Sequence, residues 1–279
     1  MSVRGRTSGN TVHPVAPRPK GAVSQGVRAD RSRPTIVDEI TDQLAYRIAA
    51  GIYRPGELLP SVRQLAVEFS ASAPTANSAL GRLAALGFAE PRRGLGYIVR
   101  DIQLYGGIDT WRYLFRFAHR IPEQASRLFS DIIDVDHILV MQAVRAFVEN
   151  PRHYDVSAAT RALDRMEMLV HDPQATLIDI MAAELHMLRC TFAALGSIGS
   201  LSLFNTVGEL LITMPEAAQA FYEPLEPEGH VVIGRTLQSL QTAGDPLDIP
   251  DLSLVETVMR TYHDQVVEAF HRLITAPAT

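Results

Sequence analysis

Residues 61–86 read Ser-Val-Arg-Gln-Leu-Ala-Val-Glu-Phe-Ser-Ala-Ser-Ala-Pro-Thr-Ala-Asn-Ser-Ala-Leu-Gly-Arg-Leu-Ala-Ala-Leu, and the reading of this stretch decides the fold. Ser61 followed three residues on by Gln64 is a capping box, in which each side chain satisfies an orphan N–H at a helix start. Leu65, Ala66 and Phe69 give that short helix an apolar side, and Ser70-Ala71-Ser72 breaks it. Pro74 suits the first turn of a second helix, where its missing N–H costs little. There Ala76, Ala79, Leu80, Leu83 and Leu86 recur at the helical period and face inward. Pro74, Thr75, Asn77, Ser78 and Arg82 remain on the outer side, and Gly87 ends the helix.

Outward from this kernel, Phe88 to Val99 reads as two short strands around Arg92-Arg93-Gly94-Leu95-Gly96. Two short helices, a tight turn and a hairpin describe a winged helix-turn-helix, whose second helix enters the major groove of DNA. Upstream, Ile36 to Ala50 is a helix with Ile36, Val37, Ile40, Leu44 and Ile48 in one stripe and Gly51 as its stop. Met1 to Arg33 is rich in Pro, Gly, Ser and Arg and reads as a disordered basic leader. It carries seven Arg and Lys residues against Asp30 alone, whereas the 279-residue chain is at −5. The remainder is therefore near −11, and DNA binding would fall to a local basic surface.

Residues 101–110, with Gly106-Gly107, read as a linker, and residues 111–279 show helical patterning alone. The expected helices are Trp111 to Ala118, Pro122 to Glu149, Val156 to Val170, Ala175 to Leu195, Leu201 to Thr213, Gly229 to Thr242 and Leu252 to Ile274. A variable stretch surrounds Pro215 to Glu226. On the long helix, Ala125, Leu128, Phe129, Ile132, Val135, Leu139, Ala143 and Phe147 are expected inward. The fold class is mainly α: a winged helix-turn-helix over 34–100, then an antiparallel all-helical bundle with room for a ligand. One cysteine excludes an internal disulfide and fits a reducing cytoplasm. No apolar run is long enough to span a bilayer, and no export signal is expected.

The N-terminal part resembles the GntR family of bacterial transcription regulators over roughly Ile36 to Arg100. The resemblance rests on Arg54-Pro55-Gly56-Glu57-Leu58-Leu59-Pro60-Ser61-Val62-Arg63-Gln64-Leu65-Ala66, on Ala79-Leu80-Gly81-Arg82-Leu83 with Gly87, and on Gly94-Leu95-Gly96-Tyr97-Ile98-Val99. It implies DNA contacts from Arg63, Ser72, Thr75, Asn77, Ser78, Arg82, Arg93, Gly94 and Gly96. Ala73 and Asn77 stand where many relatives carry arginines. Asn77 suits adenine N6/N7, so the base preference of those relatives does not carry over.

The C-terminal half resembles the FadR-like branch, whose effector domain is termed FCD. The matches are Ala194-Leu195-Gly196-Ser197, Leu203-Phe204-Asn205, Arg260-Thr261-Tyr262-His263 and Glu268-Ala269-Phe270-His271-Arg272. The resemblance implies a homodimer, a palindromic double-stranded operator and a small-molecule effector, an organic acid or acyl derivative. Many members hold a divalent metal through one Asp and three His. His186, His230 and His263 match the histidines, a set suited to a zinc-like ion. The family aspartate is Ala182 here, which leaves the set one ligand short, and Cys190 shares a helix face with His186.

Asp136 falls where the family often places an arginine that grips an acidic effector; a one-residue slip would put Val135 or His137 there. Asp136 either completes the metal set or selects a less acidic effector, and Asn205 is a second candidate effector contact. The alternative is a metal-free, largely apolar pocket. An enzyme built on a histidine-bound metal and an effector-independent architectural DNA binder are the rival classes. No phosphate loop, nucleophile elbow or zincin signature supports an enzyme.

Overall fold

The computed structural model describes residues 34–149, 154–243 and 252–277. The expected basic leader over 1–33 lies outside the described residues. Twelve α-helices and one two-stranded sheet make up the described chain, which is mainly α as expected.

The chain enters helix α1 (Ile36–Ala49) through a capping box between Thr35 and Asp38. Ile40, Thr41, Leu44, Ala45 and Ile48 are buried, while Ile36, expected in the stripe, is exposed in the first turn. Helix α2 (Val62–Glu68) begins at the Ser61–Gln64 capping box, with both reciprocal bonds made. The turn that follows passes through Ser70 in a left-handed conformation. Helix α3 (Ala73–Ala85) is capped by Ser72, carries Pro74 in its first turn and buries Ala76, Ala79, Leu80 and Leu83. Strands β1 (Ala89–Arg92) and β2 (Gly96–Val99) pair antiparallel with Arg92 opposite Gly96. The hairpin gains a third member: Leu58 bridges Ile98, and Leu59 N–H donates to the Tyr97 carbonyl at 2.8 Å.

Residues 101–110 hold helix α4 (Ile102–Tyr105) and the start of α5 (Ile108–Leu114), followed by a 3-10 segment, Phe115–Arg120. This part of the chain is ordered against the winged domain. The Thr110 hydroxyl donates to the Leu86 carbonyl at the end of α3, at 2.7 Å. Gly87 sits at φ +85°, and a Cβ there would lie 2.6 Å from the Thr110 hydroxyl oxygen. Tyr113, Leu114, Phe117 and Ile121 complete the apolar core of the winged domain. Phe115 and Ala118, on the opposite side of the same segment, join the core of the bundle.

The bundle consists of α6 (Pro122–Glu149), α7 (Ser157–Val170), α8 (Leu177–Ala194), α9 (Ile198–Leu211), α10 (Pro215–Tyr222), α11 (Pro227–Ala243) and α12 (Leu252–Thr275). Pro215 to Tyr222, expected as variable, is helical, with Ala217, Ala218 and Ala220 buried and Pro215 in the first turn. On α6 the inward face includes Asp136 and His137, whereas Val135 is 39% exposed. The centre of the core is the stacked pair Phe129–Phe270, with ring centroids 3.9 Å apart.

Candidate nucleic-acid interface and ligand cavity

Helix α3 presents Asn77 and Ser78 to solvent, and Arg63 is exposed at the start of α2. Arg93, Gly94 and Gly96 form the exposed tip of the hairpin, with Gly94 at φ +78° and Gly96 at φ +112°. The other expected DNA contacts have partners within the protein. Arg82 is bound to Asp38 on α1, so its charge ties α3 to α1. The Asp38 carboxyl is held below the usual carboxylate range, chiefly by its bonds from Thr35 and then by Arg82. Ser72 accepts from Thr75 N–H, and the two hydroxyls lie 2.7 Å apart, so both serve the helix start. Arg63, Asn77, Ser78 and the hairpin tip are exposed, whereas Ser72, Thr75 and Arg82 also carry these bonds within the protein.

The bundle encloses a cavity of about 310 Å³ lined by residues from α6 to α12. Most of its wall is apolar, including Val144, Leu163, Leu188 and Met259. Gly234 brings α11 close to α7: a Cβ there would lie 2.9 Å from Leu163. Polar side chains, among them Asp136, Glu184, His230, Tyr262 and His263, also line it, and among the described residues no lysine or arginine does.

Two polar groupings follow. In the first, the Glu184 carboxylate is fully engaged. Tyr222 donates to one oxygen at 2.7 Å, and His230 Nδ1 lies 2.8 Å from the other. His230 Nε2 is 3.3 Å from the Tyr262 hydroxyl, which donates to the Phe221 carbonyl at 2.7 Å. Burial pushes both phenols up, and the Glu184 charge adds to it. In the second, His263 and His137 face each other through Nδ1 at 3.2 Å. Burial, followed by His137 and Arg260, depresses His263 to about 4, so its ring is neutral at pH 7. His137 Nε2 is buried without a partner.

Asp136 belongs to neither grouping. It is 6% exposed, and His263 Nε2 lies 3.9 Å from its carboxyl, beyond hydrogen-bond reach. Burial, and secondarily the Glu184 charge, push its carboxyl up to about 7.

The expected metal set does not assemble. Asp136, His230 and His263 line one cavity, but His186 is exposed on α8, with Nε2 3.8 Å from Cys190 Sγ. Glu184 occupies the inward position instead, because two residues on a helix stand about 200° apart. His230 is turned toward Glu184 and Tyr262, and among the described residues no three His, Cys, Asp or Glu side chains group as metal ligands. Asn205 does not line the cavity; it accepts from Arg189 Nε at 2.8 Å. Reading the sequence missed Glu184 and Tyr222, which lie on separate helices 38 residues apart. An acid among apolar neighbours on α8 was the signal that could have found Glu184.

Comparison with known proteins bears on the N-terminal part. Residues 36–99 match the family described as bacterial regulatory proteins, gntR family. The HTH-type transcriptional regulator Mce2R of Mycobacterium tuberculosis is 40% identical over 86 residues, 30% of this chain and 36% of Mce2R. YhcF of Bacillus subtilis, an uncharacterized HTH-type transcriptional regulator, is 33% identical over 63 residues, 23% of this chain and 52% of YhcF. The chain thus spans from about a third to half of the length of these curated relatives. A solved structure of Lar, which controls the expression of the Listeria monocytogenes agr system, aligns over 87% of this chain and 100% of its own. Its TM-score is 0.52 at 14% identity, a likeness of fold. Residues 36–99, the stretch that matches the gntR family, fold as a winged helix-turn-helix.

Proposed function

We propose that this chain is a transcription regulator that binds double-stranded DNA through α3 and the hairpin, as a homodimer on a palindromic operator. The observation that carries this reading is the coincidence of the family match over 36–99 with an exposed α3 face bearing Asn77 and Ser78. An asparagine on such a face bonds adenine in the major groove, and Arg63 supplies a cation to the backbone. Two recognition helices must lie about 34 Å apart to read two half-sites. A small molecule in the bundle cavity would set that spacing by binding one conformation better than the other. No helix among the described residues is long and apolar enough to cross a membrane, and action on DNA places the protein in the cytoplasm.

Selection of duplexes from a random pool tests this. Arg63→Ala should weaken binding to all selected sites by about 1–3 kcal/mol. Asn77→Ala should relax preference at one base position. An unchanged preference at every position would count against α3 as the reading helix.

A further inference from the structure

The cavity carries a charge pattern that names the class of its ligand, an inference that rests on the effector reading above. A carboxylate entering it would find no lysine or arginine among the described residues. His263 is turned to His137, and His230 is held against Glu184. The entering anion would meet two acids, Asp136 and Glu184. The organic acid expected from the family resemblance therefore lacks a counter-charge here. Glu184 has both oxygens bonded, whereas Asp136 stands buried with none within hydrogen-bond distance. A buried carboxyl without a donor is costly, and a donor brought by the ligand removes that cost.

We infer that the cavity binds an apolar amine, its ammonium group seated on Asp136 and its hydrocarbon body against the walls formed by α7, α8, α11 and α12. The volume of about 310 Å³ lies at the lower end of the range of small-molecule pockets and suits a compact ligand. Such a cation converts the isolated carboxyl into a hydrogen-bonded ion pair shielded from water, where charged hydrogen bonds are strongest. The apolar walls supply affinity for the body, and Asp136 supplies the discrimination between head groups.

The test uses the full chain and three probes with the same hydrocarbon tail: octylamine, octanol and octanoate. Calorimetric titration at neutral pH should show octylamine binding one molecule per chain. Octanol should bind about tenfold more weakly or worse, and octanoate more weakly still. Asp136→Asn, which keeps the shape and removes the charge, should bring octylamine down to the affinity of octanol. Should that variant fail to fold, the ranking of the three probes on the unmodified chain decides. Octanoate binding as tightly as octylamine, no binding of octylamine, or an Asp136→Asn variant with unchanged amine affinity would each overturn the inference. Affinity for a duplex selected by the same chain is measured in parallel. Amine binding that leaves this affinity unchanged upholds the ligand class and overturns the reading of the cavity as the site that modulates DNA binding.

Discussion

Asp136 and His263 pull the pH dependence of stability in opposite directions. The Asp136 carboxyl stands at about 7 in the folded chain, against an ordinary value of 3.8. The folded state therefore holds an extra proton between those values. The stability linked to this group is full below about 4 and is lost as pH rises through about 7. His263 is depressed to about 4 from 6.5. Its contribution is present above 6.5 and is lost as pH falls through about 4. The two slopes offset each other across weak acid. Asp136→Asn removes one of them, so the variant should gain on the parent between pH 5 and pH 8, by on the order of 2–4 kcal/mol. Denaturant titrations of both proteins at the two pH values measure this. An equal difference at both would show that the Asp136 carboxyl is not held protonated by its surroundings.

At the scale of elements, the end of α3 is fixed from outside the helix. Gly87 has φ +85° and abuts the Thr110 hydroxyl, which caps the Leu86 carbonyl. Gly87→Ala combines a left-handed backbone with a 2.6 Å approach and should cost about 1–3 kcal/mol. With α3 proposed as the reading helix, its loss of anchorage should appear in DNA affinity as well as in thermal stability. A Gly87→Ala protein as stable as the parent would show that the α5 contact is dispensable. The sequence disclosed the start of α2 well, because capping is local and Ser61 and Gln64 act within three residues; the Thr35 and Ser72 caps were not read from it. Long-range events were less legible. The bridge from Leu58 to Ile98 and the burial of Thr110 depend on partners that no periodicity announces. On α6, apolar spacing pointed to Val135 as the inward residue. The family alignment pointed to Asp136, which lines the cavity, whereas His186 from the same alignment faces solvent.

On the scale of the whole molecule, the segment from α5 through the 3-10 turn belongs to two cores at once. Tyr113, Leu114 and Phe117 lie in the winged domain, and Phe115 and Ala118 in the bundle. Phe115 meets Phe270 edge-on at 6.3 Å, while Tyr113 meets Phe88 at 5.9 Å. His119 fastens the same segment to the end of α12 through the Ile274 carbonyl, at 3.0 Å. Melting either core strips one side of this segment and weakens the other. The unfolding of the chain should therefore be all-or-none: one calorimetric transition, despite a winged helix-turn-helix and a separate helical bundle. Phe115→Ala, which touches only the bundle side, should cost about 3–5 kcal/mol. It should lower the melting of the winged domain together with that of the bundle. Two separated transitions in the parent protein would show the halves to be thermodynamically independent. If they melt together, a truncation at either side of this segment leaves half of its apolar surface bare, and the isolated halves should aggregate where the intact chain does not.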